Sequence, residues 1–192
     1  RERDHMNAEK LLSIVTLAER LKNNTRHSWT SQGRRESVAE HSWRLTLMAF
    51  FLRDEFPQAD MNKVMTMCLL HDMGEAFTGD IPSFHKTAED EAEESRALAA
   101  WVDALPSPYR EELSALYAEM DALETQEAKI YKSLDKLEVI HQHNEAPLDT
   151  WLPLERTLNL TYGQENVAFS PYLTQLRAIL RRNSEKKLEA AE

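Results

Sequence analysis

Glycine is scarce in this chain, with only 4 glycines among 192 residues. Sheet-rich folds use glycine in hairpin turns and bulges, and phosphate-binding loops use it to bring backbone amides close to a ligand. Neither of the common nucleotide-binding motifs, GxxxxGKS/T and GxGxxG, occurs in the sequence. The scarcity argues against a sheet-rich fold, and a nucleotide would have to be bound without a glycine-rich loop.

Cysteine is nearly absent, because Cys68 is the only one. An intramolecular disulfide and a zinc site built from several cysteines are therefore excluded, and a reducing compartment fits. The longest apolar run, residues 47–52, is far shorter than the roughly 18 residues of a membrane span. The start shows no charged and then apolar secretory leader. We expect a cytoplasmic protein with no membrane partner.

Basic residues are outnumbered, since 23 lysines and arginines face 33 aspartates and glutamates and the net charge is −10. This balance excludes general affinity for a nucleic acid polymer, which needs broad basic surface. Residues 20–35 depart from the trend, with five lysines or arginines and no acid. This stretch is either a chance group of solvated bases or a place where an anionic small molecule binds.

The length of 192 residues fits one compact domain that buries a substantial core without disulfides. Apolar residues recur at helical spacing almost everywhere, and no strand pattern competes with them. We expect an all-α, single-domain bundle of about six or seven helices over residues 7–187. Residues 1–5 are expected to be an expression scar or a disordered end, and residues 188–192 a charged tail. The predicted helices span residues 7–22, 37–56, 61–74, 87–105, 107–121, 124–145 and 170–187.

Local signals mark several helix ends. Ser37, with Glu40 three residues later, has the pattern of a capping box. Two Ser-Pro pairs, at 107–108 and 170–171, place serine at the cap and proline at the first helical position. Gly74 is expected to cap the end of the third helix. The longer connections, where we expect function to concentrate, are residues 23–36, 75–86 and 146–169.

His41 lies on the apolar face of a predicted helix, three residues after Val38 and four residues before Leu45. Residues at these spacings share one side of a helix, so the imidazole is predicted to point inward. A polar group on an inward face needs a partner. Two interpretations stand: a core histidine satisfied by hydrogen bonds, or a metal ligand.

The adjacent pair His71-Asp72 lies at the end of a predicted helix whose preceding turn is apolar apart from the thiol of Cys68. Burying an imidazole and a carboxylate there costs several kcal/mol unless a charge or hydrogen bonds compensate. Adjacent helical side chains diverge by about 100°, so both can occupy neighbouring positions around one cation. A metal ion would compensate the burial directly.

Asp135 lies in another predicted helix, among apolar residues such as Leu134 and Leu137. Taken alone, it also fits a surface residue paired with Lys132 or Lys136. Together with the histidines and the aspartate described above, it completes two imidazoles and two carboxylates from three helices. Such a mixed nitrogen and oxygen set suits Mn, Fe, Co, Ni or Zn.

Several motifs follow one another in order over most of residues 26–138. The ordered set resembles the HD-domain phosphohydrolase superfamily, in which a histidine of an early helix precedes HDxGE and a late aspartate. Within that superfamily, it is most similar to the bacterial and eukaryotic 5′-deoxynucleotidases. The motifs are RHSW at 26–29, ESVAEHS at 36–42, LLHDMGEAFTGDIP at 69–82 and KSLDKLE at 132–138.

The resemblance implies an all-α fold with a metal-site core over about residues 26–140. Glu75 would act as acid or base or orient the bound water, and Asp80 would position that water or protonate the leaving oxygen. Arg26 would bind the phosphate. The implied ligands of one divalent transition metal ion are His41, His71, Asp72 and Asp135.

The substrate implied by the resemblance is a deoxyribonucleoside 5′-monophosphate, hydrolysed to a deoxyribonucleoside and phosphate. In some relatives, the aromatic residue that senses the sugar directly follows the phosphate-binding arginine. Here His27 follows Arg26, and Trp29 is three positions along, so both are candidate substrate-binding residues. The expected partner is thus a small nucleotide. Dimers are common among similar proteins, which leaves a homodimer as a further expectation.

Other interpretations are left open. A different hydrolase of the superfamily, acting on an alarmone or a nucleoside triphosphate, would use the same metal ligands. A ferritin-like di-metal protein would use Glu138 and His141, which have ExxH spacing, but needs a second such motif on another helix. A non-enzymatic helical interaction module would bind no metal. His85 is either a ligand of a second metal or a surface histidine in a loop.

Overall fold

A computed structural model describes residues 5–82 and 85–191 of the chain. Most of the predicted N-terminal end, residues 1–5, therefore lies outside the described residues. The described part is predominantly helical, which confirms the predicted all-α fold. None of its helices combines the length and the apolar character that crossing a membrane requires. The helices are α1 (Ala8–Asn23), α2 (Val38–Phe51), α3 (Met61–Leu70), α4 (Glu75–Thr78), α5 (Ala88–Asp103), α6 (Tyr109–Ala122), α7 (Gln126–Glu145), α8 (Glu155–Thr161), α9 (Gln164–Val167) and α10 (Pro171–Glu189).

Helix α7 is at the centre of the bundle and packs against α2, α3 and α10. Its Ile130, Leu134 and Leu137 are fully buried, as are Leu45 of α2 and Val64 of α3. Burying a side chain of this size contributes roughly 1.5–3 kcal/mol. The shared core therefore fixes α2, the end of α3 and α7 relative to one another, and these are the elements that carry the predicted ligands.

The start of α2 is set by the predicted capping box, which is confirmed. The Ser37 hydroxyl accepts a hydrogen bond from the Glu40 backbone N–H at 3.2 Å, and the Glu40 carboxylate accepts one from the Ser37 N–H at 2.8 Å. Both otherwise unpaired backbone donors are satisfied in this way. The cap places His41 in the second turn of the helix, where its side chain is fully buried.

The two Ser-Pro pairs behave differently. Ser170 caps α10 by accepting a hydrogen bond from the Leu173 N–H at 3.2 Å, and Pro171 opens the helix as predicted. The prediction for Ser107 was wrong, because α6 begins one residue later and Pro108 occupies the cap position without a side-chain cap. The Pro108 carbonyl instead accepts the backbone hydrogen bond that opens the helix.

The third predicted helix stops early, at Leu70, and α4 follows after a short turn. The predicted C-cap at Gly74 was wrong, because this residue has right-handed dihedrals (φ −58°, ψ −31°) at the start of α4. The glycine instead allows a close approach to α5: a Cβ there would lie 2.7 Å from Cγ of Glu94, so that side chain would have to move. His71 and Asp72 consequently lie in the turn between two helices rather than inside one. The second predicted helix also stops early, at Phe51, and a 3-10 turn (Arg53–Glu55) follows.

The predicted loop 23–36 contains an antiparallel hairpin of β1 (Thr25–Trp29) and β2 (Arg35–Ser37), so the expectation that no strand occurs was wrong here. Gly33 supplies the positive φ of 79° that the turn requires. The strands are short, and the register is irregular, which explains why no alternating pattern stands out.

The predicted loop 146–169 contains α8 and α9, which were also missed. Both helices are too short for a clear apolar period. Tertiary contacts hold them: Arg177 of α10 donates to the Leu160 carbonyl at 2.7 Å and to the Tyr162 carbonyl at 3.0 Å. The Ser133 hydroxyl of α7 donates to the Asn166 carbonyl at 2.9 Å. This segment therefore belongs to the packed bundle.

Candidate metal centre and adjoining cavity

Four predicted ligands converge at one place, and we call them the candidate metal centre: His41 of α2, His71 and Asp72 of the turn after α3, and Asp135 of α7. Nε2 of His41 lies 3.1 Å from Oδ1 of Asp135 and 4.0 Å from Oδ2 of Asp72. Nε2 of His71 lies 3.0 Å from Oδ2 of Asp72 and 3.5 Å from Oδ1 of Asp135. Each imidazole thus presents the same ring nitrogen to both carboxylates.

The Cys68 carbonyl fixes the orientation of the His71 ring. Its Nδ1 donates to the Cys68 carbonyl at 2.8 Å. A carbonyl oxygen only accepts, so Nδ1 carries a proton and Nε2 is the ring nitrogen left for the centre. That Nε2 is buried and has no hydrogen-bond partner in the described part of the chain. A ring nitrogen that faces two carboxylates needs either a second proton on the ring or a metal ion between the groups.

The orientation of His41 is fixed by a buried carboxylate. Its Nδ1 is hydrogen-bonded to Oε2 of Glu138, which is fully buried on α7. Arg44 donates from Nε to the other oxygen of Glu138 at 2.8 Å. Burial opposes the charge of this carboxylate, but His41 and Arg44 lower the pKa of Glu138 to about 2. Nδ1 of His41 is therefore a donor to a carboxylate, the arrangement usual behind metal-bound histidines.

The charge balance of the candidate metal centre favours a cation. Burial disfavours protonation of His41 and His71, yet the surrounding carboxylates raise the pKa of both rings. Burial also disfavours charge on Asp72 and Asp135, yet the neighbouring cations and rings lower the pKa of both carboxyl groups. The group therefore attracts positive charge, which a proton or a metal ion can supply.

The spacing fits a metal ion as well as the charge does. Nitrogen and oxygen ligands lie about 2.0–2.2 Å from a transition metal, which places neighbouring ligand atoms roughly 3–3.5 Å from one another. Three of the four contacts described above, 3.0, 3.1 and 3.5 Å, fall in this range, and the fourth, 4.0 Å between His41 and Asp72, is longer. The donor set of two imidazoles and two carboxylates could therefore hold one divalent transition metal.

Arg26 is buried beside the centre rather than exposed. Its Nη1 lies 3.6 Å from Oδ2 of Asp72 and 3.9 Å from Oδ1 of Asp80, and its Nε lies 3.4 Å from Oε2 of Glu36. These carboxylates raise the pKa of the guanidinium against the effect of burial, so it stays charged. Within the basic stretch 20–35, only this residue lines the adjoining cavity among the lysines and arginines described.

Glu75 and Asp80, the predicted catalytic pair, lie on the same side of Arg26. Glu75 opens α4 and is buried, and its Oε2 has no hydrogen-bond partner among the residues that the structure describes. Burial first, and then repulsion by Asp72 and Asp80, raises the pKa of Glu75 to about 10. The group is therefore protonated at neutral pH in the structure as it stands. A cation at Asp72 would lower this pKa.

A cavity of about 280 Å³ adjoins the candidate metal centre. This volume is near the lower end of the roughly 300–1,000 Å³ that is typical of small-molecule pockets. Its lining combines acidic groups, three lysines, and apolar and amide side chains. The lining residues are Arg26, His27, Asp72, Glu75, Asp80, Ile81, Pro82, Lys86, Glu91, Lys132, Asp135, Lys136, Val139, His143, Leu158, Asn159 and Tyr162.

A second polar group, which we call the α8 cluster, consists of His27, His143, Glu155 and Asn159. Nε2 of His27 lies 2.9 Å from Oε1 of Glu155, and Nε2 of His143 lies 3.4 Å from the same oxygen. Nδ1 of His143 is hydrogen-bonded to Oδ1 of Asn159 at 2.9 Å. The sequence did not single out three of these residues. His143 lies two turns beyond Asp135 on the same face of α7, and this spacing was the available signal.

The remaining predicted residues are placed apart from the centre. Trp29 lies under Arg35, whose guanidinium carbon is 5.4 Å from the ring centroid, and it is absent from the described lining of the cavity. His85 is exposed. His141 is partly exposed and pairs with Glu145, whereas Glu138 points to His41, so the ExxH pair does not converge on one site.

Sequence comparison identifies relatives over most of the chain. A family model described as HD domain matches residues 18–177. A 5′-deoxynucleotidase of Homo sapiens is 32% identical over 142 residues, which cover 72% of this chain and 69% of that protein. A 5′-deoxynucleotidase of Schizosaccharomyces pombe is 32% identical over 148 residues, which cover 71% of this chain and 74% of that protein.

Structure comparison points the same way. A crystal structure described as a predicted metal-dependent phosphohydrolase from Magnetospirillum magnetotacticum MS-1 superposes with a TM-score of 0.77 at 27% identity. The match covers 95% of this chain and 97% of that one. A conserved hypothetical protein from Pyrococcus furiosus superposes with a TM-score of 0.69 at 28% identity, over 91% of this chain and 99% of its own.

Proposed function

Because this chain belongs to the HD domain family, we propose that it is a metal-dependent phosphomonoesterase that hydrolyses deoxyribonucleoside 5′-monophosphates. The names of the relatives supply the substrate class. The observation that carries the proposal is the buried Nε2 of His71, which faces Asp72 and Asp135 without a hydrogen bond. It supports a cation site at the edge of a cavity that also contains a buried arginine.

We assign the metal to His41, His71, Asp72 and Asp135. When bound, a divalent ion supplies a water molecule whose pKa is lowered toward neutrality and polarises a phosphoryl oxygen. Cobalt, manganese, iron, nickel and zinc all accept such a ligand set, so the identity of the metal is a matter for measurement.

The side chains around the centre complete the reaction. Arg26 binds the phosphate, and its charge is held by Glu36 from behind. Glu75 holds the attacking water in line, and Asp80 lies close enough to Arg26 to reach the ester oxygen of a phosphate bound there. Water attacks phosphorus, and the bond from phosphorus to the 5′ oxygen breaks. One carboxyl group of the pair Glu75 and Asp80 gives a proton to the leaving oxygen, and the ionised one accepts the proton that the water loses.

The test is a phosphate-release panel. Metal-free protein is incubated with cobalt or manganese and with deoxy- and ribonucleoside mono- and triphosphates. We expect inorganic phosphate from the deoxyribonucleoside monophosphates and little from the ribonucleotides. Release of pyrophosphate or triphosphate would assign the chain to another branch of nucleotide hydrolysis. Equal turnover of ribo- and deoxyribonucleotides would overturn the sugar preference, and no hydrolysis with any metal would overturn the enzyme.

We further propose that residues 7–187 act as one domain and that the protein is a cytoplasmic homodimer. The outer face of α2 supports the dimer, since Trp43 is 62% exposed and Phe51 is 76% exposed. Large exposed apolar surfaces usually mark contacts with another protein. Light scattering of the purified protein tests this: a mass of one chain at micromolar concentration would overturn the dimer.

A further inference from the structure

The end of the cavity away from the candidate metal centre presents one buried donor without a partner. Asn159 is 1% exposed, and its Nδ2 has no hydrogen-bond partner in the described part of the chain. Its Oδ1 is occupied by Nδ1 of His143 at 2.9 Å. An unpaired buried donor costs about 1–3 kcal/mol, so its presence in a cavity wall points to a ligand that accepts from it.

The α8 cluster holds this donor in place. Glu155, one turn before Asn159 on the same face of α8, accepts from the Leu152 N–H at 2.8 Å and contacts Nε2 of His27 at 2.9 Å. These contacts tie the start of α8 to the hairpin. His143 is fixed in turn, because its Nε2 lies 3.2 Å from the Ser28 hydroxyl.

The ring of His143 stays neutral, which fixes what Asn159 presents. Burial lowers the pKa of His143, so the ring carries one proton at neutral pH. With that proton on Nδ1, the ring donates to Oδ1 of Asn159 and accepts from the Ser28 hydroxyl at Nε2. The amide group of Asn159 then has its NH2 left for the cavity.

Helix α7 shows which part of a nucleotide this donor meets. Asp135, Val139 and His143 lie one turn apart on one face of α7, so His143 is about 12 Å along the axis from Asp135. All three line the cavity. With the phosphate at the candidate metal centre, the sugar comes next and the base lies farthest away, at the level of His143 and Asn159.

The walls at that level suit a base. Leu158 and Val139 provide apolar surface at that level. The Tyr162 ring lies nearer the candidate metal centre, because its hydroxyl accepts from Nζ of Lys136, the residue after Asp135, at 2.8 Å. Apolar surface with a few placed polar groups is the usual surrounding of a bound small molecule.

We propose that Asn159 is a base-binding residue whose Nδ2 donates a hydrogen bond to an acceptor atom of the nucleobase, with His143 and Glu155 as positioning residues. The inference rests on the proposed function, because the phosphate at the candidate metal centre sets the direction of the nucleotide. It assigns substrate recognition to α8, outside the motifs that carry the family resemblance.

The test measures equilibrium binding to metal-loaded protein with ligands that cannot be hydrolysed, because a CH2 group replaces the oxygen between phosphorus and the sugar. The ligands are this phosphonate analogue of a deoxyribonucleoside 5′-monophosphate and the matching analogue of 2-deoxyribose 5-phosphate, which lacks the base. Asn159→Asp keeps the acceptor for His143 and removes the donor, and Asn159→Leu removes both without adding charge. Asn62→Leu, at an exposed position of α3, is the matched control, and thermal unfolding shows whether each variant is folded.

The expected result is a loss of about tenfold in nucleotide affinity for each folded Asn159 variant, with sugar phosphate affinity and the control unchanged. Equal nucleotide affinity in wild type and variants would overturn the proposal, as would a parallel loss of sugar phosphate affinity. If wild-type protein binds the nucleotide no more tightly than the sugar phosphate, the base-binding role also falls. Hydrolysis by wild-type protein is measured separately, so a failed phosphatase and a failed base site are distinguishable.

Discussion

The candidate metal centre and the α8 cluster are both built from two histidines and acidic or amide groups, but they need different ligands. In the metal centre, Nε2 of both histidines faces two carboxylates, and Nδ1 of each is already bound to an acceptor. In the α8 cluster, there is one carboxylate, and a serine hydroxyl is within reach of His143. The first arrangement brings two carboxylates to two ring nitrogens and attracts positive charge, whereas the second has a single carboxylate between two rings and leaves the Nδ2 donor of Asn159 for a neutral group.

We infer from this difference that the residue types of a cluster do not by themselves decide its ligand. What decides it is the direction of each lone pair and proton, which the groups behind the ring set. Glu138 behind His41 and the Cys68 carbonyl behind His71 both place the proton on Nδ1.

Asp72→Ala removes a carboxylate that lies beside both histidines and Arg26. We expect phosphate release from a deoxynucleotide to fall about a thousandfold, because charge stabilisation at the reacting phosphate is lost. Metal content, measured by mass spectrometry of the purified protein, should fall with it. Asp54→Ala, whose side chain is 96% exposed, is the matched control. Full activity in Asp72→Ala would contradict the assignment of the metal centre.

Glu138→Gln keeps the shape of the side chain behind His41 but removes its charge. The imidazole should then be a weaker ligand, and we expect metal affinity to fall about 10- to 100-fold. A competition titration against a chelator measures this, with the exposed Glu55→Gln as control. Unchanged affinity would mean that Glu138 has only a packing role.

His143→Ala tests whether the α8 cluster holds a second metal, since the ligand atoms of His27, His143 and Glu155 lie within 4.8 Å of one another. We expect the metal content to stay near one ion per chain, because one carboxylate between two imidazoles attracts less positive charge than the two carboxylates of the metal centre. Nucleotide affinity should fall several-fold as Asn159 loses its partner. A drop from two ions per chain in the wild type to one in the variant would show that the α8 cluster also binds a metal.

Ser37→Ala is expected to have the smallest effect. Losing the capping box should lower the free energy of unfolding by about 1 kcal/mol, measured by urea denaturation. Activity at saturating metal should be unchanged, because the packing of α2 against α3 and α7 still positions His41. A large loss of activity in the folded variant would show that the cap, and not the core, positions this ligand.

The sequence predicted the parts of the molecule whose signals are local. His41, His71-Asp72 and Asp135 stand out because a polar residue on an apolar helix face is costly, and the capping box at Ser37 is a contact between near neighbours. The four side chains lie far apart in the sequence, and they meet because α2, α3 and α7 pack against one another in the shared core.

The missed parts depend on contacts between distant segments. The hairpin is too short and irregular to produce an alternating pattern, and α8 is a helix because Arg177 and Glu155 hold its ends. Asn159 and His143 meet only after α8 folds back on α7, so their partnership has no local signal. Glu138 was noticed for its ExxH spacing, but its partner proved to be His41.

The most direct test is a cobalt titration of metal-free protein, with phosphate release from a deoxyribonucleoside 5′-monophosphate measured at each step. The four-ligand centre predicts no release without metal, a rise with added cobalt, and a plateau at one equivalent per chain. Full release in the presence of excess chelator would contradict it, as would a plateau reached only at two equivalents.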